Sequence, residues 1–253
     1  MRSRHADVVL ALAAILALTA LGVALRPQNT PVTRAKTSAA EMSRPGVSPE
    51  PSRPTALVIG DAYTSGSGLA EMSYACNAVT KMGWLCNLAA EPGTGYISGG
   101  TANRFPIDQG TGQSTSFGER IPILAGMYKP DFVILDGGRS DTFAPRVDRL
   151  NVTASTIWQA HQTWPDARIV YVQPRFLNKP EDDLGAGKGL ATSLKVASGV
   201  KDLVVVDPIA SFKGAATKTL ISPDGKNPSE AGERALASAL AKALANSGIP
   251  PTT

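Results

Sequence analysis

Three short stretches hold the side chains most capable of chemistry: GDAYTSGSG at 60–68, GGRSD at 137–141 and DGKNP at 224–228. Ser65, Ser67 and Ser140 offer hydroxyls, but a hydroxyl attacks a carbonyl only when a neighbouring base takes its proton. The chain has two histidines, His5 and His161. His5 precedes an apolar N-terminal run, and His161 falls several residues before the fourth apolar run, at the edge of the sheet opposite these stretches. Neither can serve a serine, and Ser65 reads more simply as a helix N-cap. Asp61, Asp141 and Asp224 could activate water or hold a metal as a group. The simpler reading has Asp61 and Asp141 accept from loop backbone, and it implies no metal and no cofactor.

These stretches need a frame, and five β-rich apolar runs supply one: ALVIG (56–60), LCNLA (85–89), FVILDGG (132–138), RIVYVQP (168–174) and LVVVD (203–207). Strands buried on both faces need such near-continuous hydrophobicity. Helical segments alternate with them at 69–83, 151–164 and 187–200. A last helix follows Ser229, with Ala231, Ala235, Leu236, Ala239, Leu240, Ala243 and Leu244 at helical spacing and Gly248 as its stop. Alternation of this kind predicts right-handed βαβ units, and hence a three-layer α/β domain over 55–248 followed by a tail at 249–253. Ligands in such sheets bind beyond the carboxyl ends of the strands, which is where all three stretches fall.

Charge divides the chain in two. The net charge is +4, and residues 1–54 account for all of it with seven basic and three acidic side chains, leaving 18 of each sign from Thr55 onward. A domain so balanced lacks the clustered positive charge that nucleic acid requires. Residues Val8–Leu25 form an uncharged apolar run of 18 residues, near the minimum for crossing a bilayer. Arg2 and Arg4 before it predict a cytoplasmic N-terminus and an exported domain. Gly22 and Ala24 also suit a signal-peptidase site, so anchor and cleaved signal both remain open over 1–25. Residues 26–54, rich in Pro, Ser and Thr, predict a disordered tether. Export permits Cys76, on the first helix, and Cys86, in the second strand, to form a disulfide; two buried thiols are the alternative.

Four segments, in order, resemble the SGNH/GDSL hydrolase family. GDAYTSG (60–66) resembles GDSYTSG, the first motif in its actinobacterial form, with Ala62 in place of serine. NLA (87–89) with GTGY (93–96) is similar to the segment that supplies an oxyanion-hole glycine, here Gly93. GGRSD (137–141) resembles GGRND, with Ser140 for asparagine, and DGKNP with AG (224–228, 231–232) resembles DGxHPxxAG, with Asn227 for histidine. The resemblance implies a flavodoxin-like α/β/α sandwich with a five-stranded parallel sheet, and ester hydrolysis by a serine, a histidine and an aspartate. It also marks Asp224 as the retained triad aspartate.

Ala62 has no oxygen with which to attack, and Asn227 has no basic nitrogen. What the resemblance leaves is a pocket of hydrogen-bond donors: the N–H groups of Ala62 and Gly93, with Ser140 as a shorter polar substitute. Asp61, Arg139 and Asp141 are the accompanying ligand-binding candidates, and Tyr63 and Tyr96 are expected at the same mouth. The expectation is an inactive, exported pseudo-esterase that binds an acylated or carbohydrate component of the cell envelope, or supports a membrane acyltransferase. The alternative is an active esterase or acyl-transfer enzyme rearranged around Ser65, Ser140 and the carboxylates of Asp61, Asp141 and Asp224. A structural or adhesive module is a third possibility.

Overall fold

The computed structural model describes residues 52–66, 70–107 and 112–252. The apolar run at 8–25, most of the proposed tether and Ser67 lie outside them. Among the described residues no helix is long and apolar enough to cross a membrane.

Strands β1 (Thr55–Gly60), β2 (Leu85–Ala90), β3 (Phe132–Asp136), β4 (Arg168–Val172) and β5 (Val204–Val206) form one sheet in the order β2-β1-β3-β4-β5. Every pairing is parallel. The helices are α1 (Ala62–Ser65), α2 (Tyr74–Lys81), α3 (Phe117–Ala125), α4 (Arg146–Thr163), α5 (Leu190–Ser198) and α6 (Glu230–Asn246). Successive strand residues face opposite sides, and each side meets its own helices. Ala56, Val58, Ile134 and Val170 pack with Ala75 and Val79 of α2 and Leu236 and Leu240 of α6. Leu57, Ile59, Val133 and Leu135 pack with Phe117 and Ile121 of α3, Ile157 of α4 and Leu194 of α5. The expected three-layer sandwich is therefore present. Its chain order reverses between β1 and β3, where parallel sheets of this kind open a crevice.

Cys76 and Cys86 are joined, with their Cα atoms 5.4 Å apart and ten residues of separation. Closing so short a loop constrains the unfolded chain by about 3 kcal/mol. Beside the bond, Trp84 is buried and stacks on Phe132 at 4.0 Å between ring centroids.

Local chemistry moved several boundaries. The helix expected over 69–83 begins instead with a 3₁₀ turn at Ala70–Met72, and α2 starts after Ser73, whose hydroxyl accepts from the Cys76 N–H at 3.3 Å. The helix expected from 187 starts only at Leu190, because Gly187 and Gly189 have φ of +73° and +84°. Helix α3 lies outside the helical segments read from the sequence, and it carries Pro122, a residue that ordinarily breaks a helix. Proline removes the bond that would satisfy the Gly118 carbonyl, and the Gln159 side chain of α4 replaces it at 3.0 Å. Ser116 and Glu119 close a capping box at its start. Residues 249–252 are not a free tail: Ile249 is buried and the Thr252 N–H donates to the Met82 carbonyl at 2.8 Å.

Candidate functional site

Directly after β1, Gly60 leaves room for a tight turn, since a Cβ there would lie 2.4 Å from Thr64. Asp61 then caps α1 by accepting from the Tyr63 N–H at 2.9 Å, which puts Ala62 at the first helical position. Ser65 is the last residue of this helix rather than an N-cap, and its hydroxyl is spent on the Ala62 carbonyl at 3.0 Å. The short helix ends there because the chain turns at Gly66, φ +54°.

Beneath α1 lies a buried charge cluster. The Arg139 guanidinium donates to both oxygens of Asp61 at 3.2 and 3.3 Å and to Asp136 at 3.2 and 3.3 Å, and its Nε donates to the Arg175 carbonyl at 2.9 Å. It sits over the Tyr63 ring at 4.4 Å. The Thr64 and Tyr74 hydroxyls also donate to Asp136. Burial pushes the Asp61 carboxyl above its ordinary value against the pull of Arg139, with the neighbouring Asp136 adding to the rise. Burial lowers Arg139, but Asp61 and Asp136 together outweigh it and hold the guanidinium charged.

This corrects the expectation that Asp61, Arg139 and Asp141 bind ligand. Asp61 and Arg139 are 1% and 5% exposed and satisfy each other. Asp141, also 1% exposed, accepts from the N–H groups of Tyr96, Ile97 and Ser98 at 2.8, 3.2 and 2.7 Å. It anchors the GTGY loop, where any Cβ on Gly95 would strike its carboxylate at 2.5 Å. Tyr63 and Tyr96 are likewise buried, and the Tyr63 hydroxyl accepts from the Leu177 N–H at 2.8 Å.

The opposite wall comes from the loop before α6. Asp224 is exposed, yet one of its oxygens accepts from the N–H groups of Lys226 and Asn227 at 2.8 and 2.9 Å, and the other accepts from Asn227 Nδ2 at 2.6 Å. The Ser222 hydroxyl, then these donors, hold the carboxylate far below its ordinary value. The Ser222 N–H to Asn227 carbonyl bond closes the loop at 2.8 Å. Its position is fixed by Gly232 in the first turn of α6, where a Cβ would fall 2.1 Å from the Leu220 carbonyl oxygen. Gly232→Ala must move that backbone, and thermal unfolding is expected to show a loss of about 2 kcal/mol.

Ala62 and Asn227 face one cleft of about 570 Å³, with Ser65, Met72, Pro92 and Pro228 among its other walls. That volume is typical of small-ligand sites. Gly93, φ +77°, follows Pro92 at the rim, and Ser140 lies in the 3₁₀ turn with Arg139; neither lines the cleft among the described residues. Asp61, Asp141 and Asp224 are bound in three separate networks, and no group of three metal-ligating side chains occurs among the described residues. The rearranged catalytic cluster is thus not assembled. His161 sits near the end of α4, about 22 Å along the helix axis from its start by the 1.5 Å rise per residue.

Two residues went unread in the sequence. Arg120 of α3 ties the site's edges together, donating to the carbonyls of Gly60 and Ala89 at 3.2 and 2.6 Å and to Thr94 at 2.7 Å. Burial lowers it to about 10, although Glu91 and Asp61 pull the other way. Glu233 of α6 lines the cleft with one carboxyl oxygen buried and unpartnered among the described residues. Burial pushes it to about 7; a backbone N–H at Tyr74 lowers it, Asp136 raises it and Arg139 lowers it.

This rise has a sign. Below its ordinary 4.5 both folded and unfolded states keep the proton. Between that value and about 7 only the unfolded chain releases it, so stability falls as pH rises through this window and levels off above it. Discounted for partial exposure, the effect is about 2 kcal/mol. Glu233→Gln should remove that part of the pH dependence in denaturant titrations and leave the contribution of the same sign from Asp61.

No family model matches the sequence, and a search of curated proteins finds no relative. The three-dimensional comparison does define a class: the fold is an SGNH hydrolase-like α/β sandwich with a five-stranded parallel sheet. A family two carbohydrate esterase from Clostridium thermocellum, solved in complex with cellohexaose, superposes with a TM-score of 0.57 at 18% identity, over 78% of this chain and 65% of that one. TesA superposes at 0.52 and 18% identity, over 76% of this chain and 99% of TesA. A Slackia heliotrinireducens protein assigned to the SGNH hydrolases gives 0.50 and 18%, over 76% and 99%. The chain thus spans about 65% of the length of the Clostridium esterase. At these identities the likeness establishes the fold alone.

Proposed function

We propose that this chain is an exported, membrane-tethered pseudo-esterase that binds an acylated carbohydrate of the cell envelope in the Ala62–Asn227 cleft without hydrolysing it, in support of a membrane acyltransferase. One observation carries the reading: a cleft of ligand-binding size keeps its frame, while the two positions that would react hold a methyl group and an amide. Asp224 still orders the Asn227 side chain at 2.6 Å, so the orienting contact outlives the base it would have served. Ester cleavage by serine needs both partners, and losing either removes most of the rate.

Export rests on Arg2, Arg4 and the apolar run at Val8–Leu25, and the Cys76–Cys86 bond fits an oxidising compartment. The carbohydrate class is supported by the cellohexaose complex of the Clostridium esterase. Calorimetric titration of the full chain with acetylated and unacetylated cello-oligosaccharides tests the ligand. The acetylated form should bind at least about tenfold tighter, a difference of about 1.4 kcal/mol. Absence of binding by both would remove the carbohydrate assignment.

A further inference from the structure

A second cavity, of about 50 Å³, lies beyond the ends of β3 and β4 against α4 and α5, and it shares no lining residue with the cleft. One water needs only about 10–15 Å³ of such space. Leu150, Leu190 and Leu194 wall it, and Leu184 closes it from the loop before α5. That loop is built to stay in place. Arg146 and Arg149 donate to the carbonyls of Ala186 and Leu184, each at 2.7 Å, and Asp183 accepts from the N–H groups of Gly185 and Gly187 at 3.0 and 2.9 Å. Leu184 itself holds a left-handed φ of 53°, unusual for a side chain of its size.

The polar part of the lining has donors to spare. The Tyr96 hydroxyl and Arg149 Nε are buried with no partner among the described residues, and Tyr96 is only 4% exposed. The Tyr171 hydroxyl belongs to the same lining. Burial raises both phenols, so both keep their protons and can donate, and the Arg149 charge is felt at Tyr171. Two carboxylates border the cavity, but both are engaged: Asp141 by three backbone N–H groups and Asp183 by two. Unused donors beside leucine walls suit a ligand that brings acceptor oxygens and a short apolar tail.

We propose that this cavity binds a short-chain carboxylate, its oxygens accepting from Tyr96, Tyr171 and Arg149 and its tail lying against Leu150, Leu184, Leu190 and Leu194. The assignment is independent of what the cleft binds. Sodium butyrate titrated into the full chain tests it, followed by NMR or calorimetry, with 1-butanol as the control that lacks the acceptor pair. Butyrate should bind saturably and 1-butanol at least about tenfold more weakly. Tyr96→Phe removes a hydroxyl without breaking a protein hydrogen bond among the described residues, and Tyr171→Phe removes a second from the lining; thermal midpoints should hold while butyrate affinity falls about three- to tenfold for each. Absence of saturable butyrate binding, equal binding of 1-butanol, or unchanged affinity in the double phenylalanine variant would each overturn the proposal.

Discussion

Ala62→Ser combined with Asn227→His is expected to give hydrolysis of short-chain p-nitrophenyl esters about 10²- to 10³-fold above the native chain, with either single change staying within about tenfold of it. The non-additivity follows from the chemistry. A serine without a base is an ordinary hydroxyl, and a histidine without a nucleophile has no proton to take. One contact already holds each of the two positions. Asp61 caps α1 and presents residue 62 at the helix start. Asp224 already accepts from the residue 227 side chain at 2.6 Å, as an aspartate orienting a histidine would. Labelling by a fluorophosphonate probe in the double variant alone would place the new nucleophile at residue 62. A double variant no faster than the single ones would mean that supplying both reacting side chains is not enough for this cleft to hydrolyse an ester.

Arg139→Met should strongly destabilise the domain. Removing the cation leaves Asp61 and Asp136 buried with no opposite charge between them, and breaking a buried pair from one side costs about 3–5 kcal/mol. For a domain of this size that corresponds to a midpoint lower by about 10 °C. The loss has a pH signature. Burial has already raised Asp61, and without Arg139 it would rise further, so protonation should relieve the variant as pH falls. Thermal unfolding at pH 5 and pH 8 should therefore show a smaller penalty at pH 5. A loss below about 1 kcal/mol at both would contradict a structural role for the cluster.

Why some of this was legible in sequence and some was not comes down to the range of the forces involved. Strands buried on both faces must be apolar along their whole length, so β1 to β5 appear as runs such as ALVIG and FVILD. Helix α3 is different, because its Pro122 is tolerated only through Gln159, 41 residues away from the carbonyl it serves. No local pattern encodes that bond. The same holds for Arg120, whose value lies in carbonyls 60 and 31 residues distant.

At the site, Ala62 and Asn227 line one cleft, since their positions follow from where strands end and where α6 begins. Burial was the part the motifs missed. Asp61, Arg139 and Asp141 look like a polar mouth in one dimension, yet three-dimensional packing turns them inward onto one another and onto backbone. Glu233 went unread for the converse reason: it reads as a surface glutamate of an amphipathic helix until Ala62 and Met72 are seen across the cleft from it.

The most direct measurement of whether the cleft binds without cleaving is ester turnover by the full native chain compared with its Asp224→Ala variant. Native turnover of p-nitrophenyl acetate and of acetylated cello-oligosaccharides should equal that of the variant, both at the background set by buffer. Native turnover clearly above background, and abolished by Asp224→Ala, would show an active esterase and contradict the pseudo-esterase assignment.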